Sequence, residues 1–252
     1  MRTLREVGLF FQRSAVQQLR NPVWLFVGLS APVLYLALFT PLLRHFSGAE
    51  ASTGQTLDVF LPGILSLLAF TSGSAQGFGT LFELRSGVIE RFRVTPASRL
   101  AILAGPLLSA MTFMFAFSAI AVAVAAAFGF HLHAAGLAVL AVLLGLFMVT
   151  MGGFSVATAL ITKEISGFAA IINGLNLPVL LLAGVLLPIA LGPSWLRGLA
   201  HVDPLYYVVE GSRALTAGDL SSAHVWQAFA VTIPLCGVVL TWATSVFRKA
   251  VA

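Results

Sequence analysis

Two lysines bound what this chain can do with a nucleotide. A phosphate-binding loop needs a glycine-rich turn ending in Gly-Lys-Ser or Gly-Lys-Thr, so that backbone amides and the ammonium cradle the phosphates. Here Lys163 is followed by Glu164 and Lys249 by Ala250, so the chain does not hold ATP by that device. It also lacks a His-Glu-x-x-His pair, a cysteine cluster and a Gly-x-Ser-x-Gly elbow, which leaves no catalytic residue to assign. The lone Cys236 excludes a disulfide within the chain and reads as a small buried apolar residue. The histidines are His45, His131, His133, His201 and His224. His131 and His133, two apart, could approach a metal ion, but two solvated loop imidazoles explain them more simply, and no metal site is assigned.

Charge is concentrated in one place. Glu83 to Arg99 holds six of the 23 charged residues: Glu83, Arg85, Glu90, Arg91, Arg93 and Arg99. Long uncharged runs flank it. Across all 252 residues, 59% are hydrophobic and 9% charged, and the mean hydropathy is +0.98. Soluble domains carry about 25% charged residues, so composition alone indicates an integral membrane protein. The net charge of +5 sits beside apolar runs, where it suits lipid headgroups rather than nucleic acid.

Crossing roughly 30 Å of hydrocarbon takes about 20 apolar residues. Six runs qualify: 23–43, 59–82, 101–128, 134–162, 165–183 and 225–247. The first is of spanning length and lacks a cleavage site after a short core, so no cleavable signal peptide is expected. Before it, residues 1–20 carry Arg2, Arg5, Arg13 and Arg20, with Leu4, Val7, Phe11, Ala15 and Leu19 at helical spacing. That pattern predicts an amphipathic helix on the cytoplasmic interface, with a merely solvated basic leader as the alternative. Asn21-Pro22 then turns the chain into the membrane. Gly129-Phe-His131-Leu-His133 and Lys163-Glu164 mark two further turns. Pro188 and Pro193 predict a broken, partly re-entrant segment within an outer region at 184–222.

Orientation follows from the basic residues. With the N-terminus inside, eleven of the fourteen Lys and Arg fall on inner segments, leaving Arg44, Arg197 and Arg213 outside. The positive-inside rule therefore places both termini and the 83–99 loop in the cytoplasm. On the outer side Asp203 can cap a helix whose first turn begins with Pro204. Tyr206 and Tyr207 suit the headgroup level, and Glu210 and Arg213 stand at i,i+3. This predicts an amphipathic lid over the outer leaflet.

Within the loop, Ser86-Gly87 is expected to start a short helix that Thr95-Pro96 limits. Val88, Ile89 and Phe92 then form an apolar ridge bordered by Glu90, Arg91 and Arg93. In water such a ridge wants a groove in another protein; the lipid surface is the alternative. The spans contain no buried ionisable group at mid-membrane, which weakens an ion-coupled carrier. They do contain Thr71, Ser72, Ser74 and Gln76 in the second span and Asn173 and Asn176 in the fifth, with Gly73-x-x-x-Gly77 for close helix approach. These residues either glue helices together or line a translocation path.

The run Arg85-Ser-Gly87-Val-Ile-Glu90-Arg91-Phe92-Arg93-Val-Thr-Pro96 resembles the cytoplasmic loop of type 2 ATP-binding-cassette exporter permeases, above all the daunorubicin-resistance type of multidrug efflux permease. Leu61-Pro62-Gly63 and Asp203-Pro204-Leu-Tyr-Tyr207 through Arg213 support it, and the resemblance covers essentially the whole chain. It implies an all-α permease with six spans and no cofactor of its own. Its partners would be a second permease subunit, identical or different, and two cytoplasmic ATPase subunits that hold ATP and Mg.

The loop helix from Gly87 to Val94 would be the coupling helix, with Glu83, Arg85, Gly87, Val88, Ile89, Glu90, Arg91, Phe92, Arg93 and Pro96 forming the ATPase contact. Thr71, Gln76, Phe78, Asn173 and Asn176 would line the substrate path. Pro188, Asp203, Pro204, Tyr206, Tyr207, Glu210 and Arg213 would gate the outer side. The expected function is export of a small amphipathic compound across a bacterial cytoplasmic membrane, with polysaccharide or lipo-oligosaccharide as the alternative cargo. A secondary carrier and a non-transporting membrane anchor are the rival functions.

Overall fold

The computed structural model describes residues 2–46, 53–87, 99–185, 189 and 192–251. Every element among them is a helix. They run α1 (Arg2–Leu19), α2 (Pro22–Phe46), α3 (Thr53–Ser74), α4 (Gln76–Arg85) and α5 (Arg99–Ala127), then α6 (Ala134–Thr162), α7 (Ile165–Leu182), α8 (Ser194–Ala200), α9 (Pro204–Thr216) and α10 (Ala223–Val251). Five stretches are long and apolar enough to cross a membrane: Thr56–Arg85, Ala104–Ala127, Ala134–Thr162, Ile165–Leu182 and Ala223–Lys249. The expected span at 23–43 is helical as Pro22–Phe46, and its apolar stretch runs Leu25–Leu38.

Several boundaries fall where the residues dictate. Lys163 adopts a left-handed φ of 55° as the C-cap of α6, its N–H bonded to the Ala159 carbonyl, and Glu164 is extended before α7. A charged pair at this point ends one apolar helix and starts the next. The expected second span at 59–82 differs. It is two helices, α3 and α4, separated at Ala75, and the second runs on to Arg85.

Helix α6 is the centre of the bundle, in contact with α3, α4, α5, α7, α9 and α10. Its approach to the second span is set by missing side chains. A Cβ on Gly73 would lie 2.7 Å from Met151 Cβ and 2.8 Å from the Met148 carbonyl oxygen, and one on Gly77 would lie 2.6 Å from the Ser155 carbonyl oxygen. Glycine is required at both positions because the backbones themselves meet, which is how helices associate in lipid. The opposite side of α6 carries α10, and the cluster of Ile102, Val156, Leu160 and Phe247 ties α5, α6 and α10 together.

Helix α1 does not lie free on an interface. It packs along α5, where a Cβ on Gly105 would stand 2.3 Å from Phe10 Cβ. Of the expected apolar face, Val7, Phe11 and Ala15 are half-buried, whereas Leu19 is exposed. Helix α9 likewise departs from the expected lid. Leu205, Val208, Val209, Gly211, Ser212 and Leu215 are buried against α3, α6 and α10, so the helix is a wedge in the bundle.

Two glycines of α4 make the packing testable. Gly77→Ala collides with backbone and with Phe168, whereas Gly79 has open space around its Cβ position. Gly77→Ala is expected to cost about 1–3 kcal/mol as overpacking. Gly79→Ala should gain roughly 0.5–1 kcal/mol from helix propensity. Thermal unfolding in detergent measures both; equal midpoints for the two variants would contradict the crossing.

Candidate functional site

The charged stretch begins at the foot of α4. Glu83 and Arg85 are helical residues, not loop residues. The Ser86 N–H bonds to the Phe82 carbonyl at 3.0 Å and the Gly87 N–H to the Leu84 carbonyl at 3.2 Å. Gly87 stands at φ +69°, where only glycine sits without strain. Ser86-Gly87, expected to start a helix, therefore closes one. Val88, Ile89, Glu90, Arg91, Phe92, Arg93 and Pro96 lie outside the described residues. Arg99 opens α5.

Glu83 carries a partner that the sequence pattern hid. Arg13 of α1, expected to face lipid headgroups, places its guanidinium 3.1 Å from the Glu83 carboxylate. The pair fastens α1 to the helix that leads into the charged loop. A single acid at the end of an apolar helix needs a cation nearby, and that was the available signal.

Above this foot opens a cavity of about 1170 Å³, large enough for a drug-sized molecule. Thr71, Gln76, Phe78, Asn173 and Asn176 all line it, so the structure brings the five candidate path residues together. Their availability differs. The Thr71 hydroxyl donates to the Leu67 carbonyl at 2.9 Å, and Gln76 Nε2 donates to the Ser72 carbonyl at 3.1 Å, so both are partly occupied by their own helix. Phe78 meets Phe168 edge-on at 4.8 Å, fixing one wall.

Asn173 and Asn176 sit one turn apart on α7, and among the described residues no hydrogen bond holds either carboxamide. Leu67, Leu68, Phe70, Phe113, Met114 and Phe117 give the remaining wall an apolar surface, and Arg13 and Glu83 stand at its foot.

The far end is tied by α9. The Asp203 carboxylate accepts from the Leu205 N–H at 2.9 Å, with Pro204 in the first turn, as expected from the motif. Glu210 and Arg213 form the expected ion pair. Arg213 also donates to the Gly184 carbonyl at 2.7 Å and to the Val59 carbonyl at 3.4 Å, joining α9 to the end of α7 and to α3. Tyr206, Tyr207 and His201 cluster, and the Tyr207 hydroxyl donates to the His201 carbonyl at 3.0 Å. Pro188 lies outside the described residues. His131 and His133 diverge: the first faces Asp58 at 3.3 Å and the second the Thr216 carbonyl at 3.0 Å.

Comparison with known proteins decides the family. The model of the family described as ABC-2 type transporter matches residues 5–216. The chain belongs to the ABC-2 type transporter family. Among the relatives of this ABC-2 chain is the transport permease ycf38 of Cyanophora paradoxa, 30% identical over 84% of this chain and 74% of the relative. The daunorubicin resistance ABC transporter permease protein DrrB1 of Streptomyces coeruleorubidus is 27% identical over 90% of this chain and 79% of the relative. The chain is therefore a multi-pass membrane permease subunit of an ABC transporter, a transport component rather than a catalyst.

In this permease Asp203 is the residue whose protonation is most open to test. It is 5% exposed, and its Oδ2 is buried without a hydrogen-bond partner. Burial pushes its pKa up to about 6, against the smaller opposing effect of the Leu205 N–H. Between about pH 4 and 6 the folded state thus binds more protons than the unfolded one, so stability falls as pH rises through 6. Asp203→Asn keeps an N-cap acceptor without the charge. Wild type should lose about 1 kcal/mol between pH 5 and 7 through this group, and the variant should lose correspondingly less. Thermal unfolding at pH 5, 6 and 7 measures it; a variant less stable than wild type at pH 7 would contradict the burial argument.

Proposed function

We propose that this chain is the membrane-spanning subunit of an ATP-driven exporter that moves a small amphipathic compound out across a bacterial cytoplasmic membrane. One observation carries the reading: a single cavity is lined by the second and fifth expected spans and reaches down to Glu83 and Ser86 at the charged foot. Its apolar wall suits the body of such a cargo. The free carboxamides of Asn173 and Asn176 supply donors and acceptors for its polar groups. The Streptomyces relative's daunorubicin resistance supports a drug-like cargo.

In this proposal six spans cross the membrane with both termini cytoplasmic, the first being Pro22–Phe46. Two ATPase subunits, carrying ATP and Mg, dock on residues 83–99. A second permease subunit, identical or different, closes the cavity. The exposed apolar side chains of α7, among them Leu175, Leu177 and Leu181, support such a partner. ATP-driven closure pushes the Gly87–Val94 segment, the second and fifth spans reorient, and α9 gates the outer side. A carrier driven by ions would instead place ionisable groups in the cavity. Among the described lining residues, Arg13 and Glu83 carry charge, and they pair with each other.

Reconstitution with the ATPase partner in liposomes tests both halves of the proposal, with fluorescent daunorubicin as the probe. Ile89→Asp with Phe92→Asp is expected to lower partner-dependent hydrolysis and transport at least tenfold. Persistence of both activities would exclude the coupling assignment. Asn173→Leu with Asn176→Leu should lower transport about tenfold while the ATPase still co-purifies; unchanged transport would remove those residues from the path.

A further inference from the structure

The break at Ala75 falls in Ser72-Gly73-Ser74-Ala75-Gln76-Gly77, a small-residue stretch that bends easily. No proline lies near it, and Ala75 keeps helical dihedrals of φ −72° and ψ −17°. In a continuous helix the Gly77 N–H would bond the Gly73 carbonyl, and the Ser74 carbonyl would accept from the Phe78 N–H. Neither bond is made. The Gly77 N–H donates to Ser155 Oγ at 2.9 Å, and the Ser155 hydroxyl donates to the Ser74 carbonyl at 2.5 Å. The Phe78 N–H turns to the Ala75 carbonyl at 3.1 Å. One hydroxyl from α6 has entered the backbone ladder of the second span and bonds two of the groups freed there, the Gly77 N–H and the Ser74 carbonyl. Side-chain insertion of this kind is a recognised origin of helix kinks.

We infer that Ser155 is a positioning residue for transport: it holds the pivot about which α4 swings against α3. The inference rests on the exporter reading above. Its position in the molecule supports it. The part above the break is held by the Gly73 contact with α6 and by the bond between the Ser66 and Ser212 hydroxyls at 3.0 Å. The part below carries Gln76, Phe78 and Glu83 of the cavity wall and ends at Gly87, where the charged loop begins.

A continuous ladder would transmit a push along the whole span as along a rod. Two bonds to a single side chain, which can follow by rotating, let α4 tilt while α3 stays packed. Gly77 sits against the Ser155 carbonyl only because it lacks a Cβ, so the pivot itself stays seated on α6. Ser74 Oγ is buried beside this junction without a partner, so a polar group is in place for a second arrangement of the same hydroxyls.

The experiment uses the full permease with its ATPase partner in nanodiscs and liposomes. Amide exchange across residues 72–82 is followed by mass spectrometry, and daunorubicin moved per ATP is measured in parallel. Ser155→Ala should speed exchange at Gly77 roughly tenfold, equivalent to about 1.4 kcal/mol. It should also lower daunorubicin moved per ATP several-fold while hydrolysis continues. Ser155→Cys, close in size and weaker in hydrogen bonding, should fall between. In wild type, exchange at Gly77 should rise during ATP turnover, a measurement that needs no variant. Unchanged exchange in Ser155→Ala would overturn the clasp. Faster exchange with unchanged transport per ATP would overturn the positioning role. Wild type that hydrolyses ATP without moving any cargo would overturn the exporter reading, leaving the exchange result to judge the clasp alone.

Discussion

The contact on which the rest of the molecule depends is the crossing of the second span over α6. In hydrocarbon no hydrophobic drive pulls two helices together, because lipid tails are as apolar as leucine. Association has to come from close packing, and here Gly73 and Gly77 supply it by letting backbone meet backbone. With the span seated on α6 by its glycine face, Thr71, Gln76 and Phe78 are left on the cavity side. The same contact also brings Ser155 within reach of the span's own hydrogen-bond ladder. A larger residue at either glycine would separate the helices and remove the cavity wall and the inserted hydroxyl together.

A second constraint acts on the backbone at membrane depth: each N–H and C=O must find a partner inside the protein. Helices meet it, and many hydroxyls then bond back onto the same helix. Ser66, Thr71, Thr80, Thr112, Thr150 and Thr158 each donate to a carbonyl one turn back on the same helix. Where the chain leaves regular structure after α7, Arg213 donates to the carbonyl of buried Gly184 while staying paired to Glu210. A guanidinium, with five donors in a fixed fork, can hold a carboxylate and two carbonyls at once. Gly184 at the end of α7 is thereby joined to α9 and α3 through one side chain.

What could be read from the sequence was local. Lys163-Glu164 ended a helix because charge does not enter hydrocarbon, and Asp203-Pro204 started one because a carboxylate and a proline suit its first turn. The Gly73 and Gly77 spacing announced a close crossing, though not its partner. The polar residues of the second and fifth spans, read as either helix glue or path lining, line one cavity. What could not be read was set by contacts across the fold. The break at Ala75 comes from a serine 80 positions away in a different helix. Arg13 looked like any basic residue near a headgroup until Glu83 was placed beside it. The burial of α9 depends on three other helices, so its amphipathic pattern alone suggested a surface lid. Ser86-Gly87 fits the start of one helix as well as the end of another, and only the bonds to Phe82 and Leu84 separate the two.

The cavity's electrostatics bear on where the energy for transport enters. Its charged lining residues among those described are Arg13 and Glu83, and their pairing cancels their fields over most of the space above. In the proposed exporter the carboxamides of Asn173 and Asn176 would hold a cargo by hydrogen bonds without discharging an ion gradient. A site of that kind binds, but it has no means of its own to make release on one side favourable. A difference between inward and outward affinity must then come from rearranging the walls. The second span is a wall already divided, with its lower half attached to the charged foot. Work done on the foot would therefore change the cavity before it disturbed the α3–α6 crossing. In that arrangement the Arg13–Glu83 pair would move α1 with α4, so α1 travels with the wall it is fastened to.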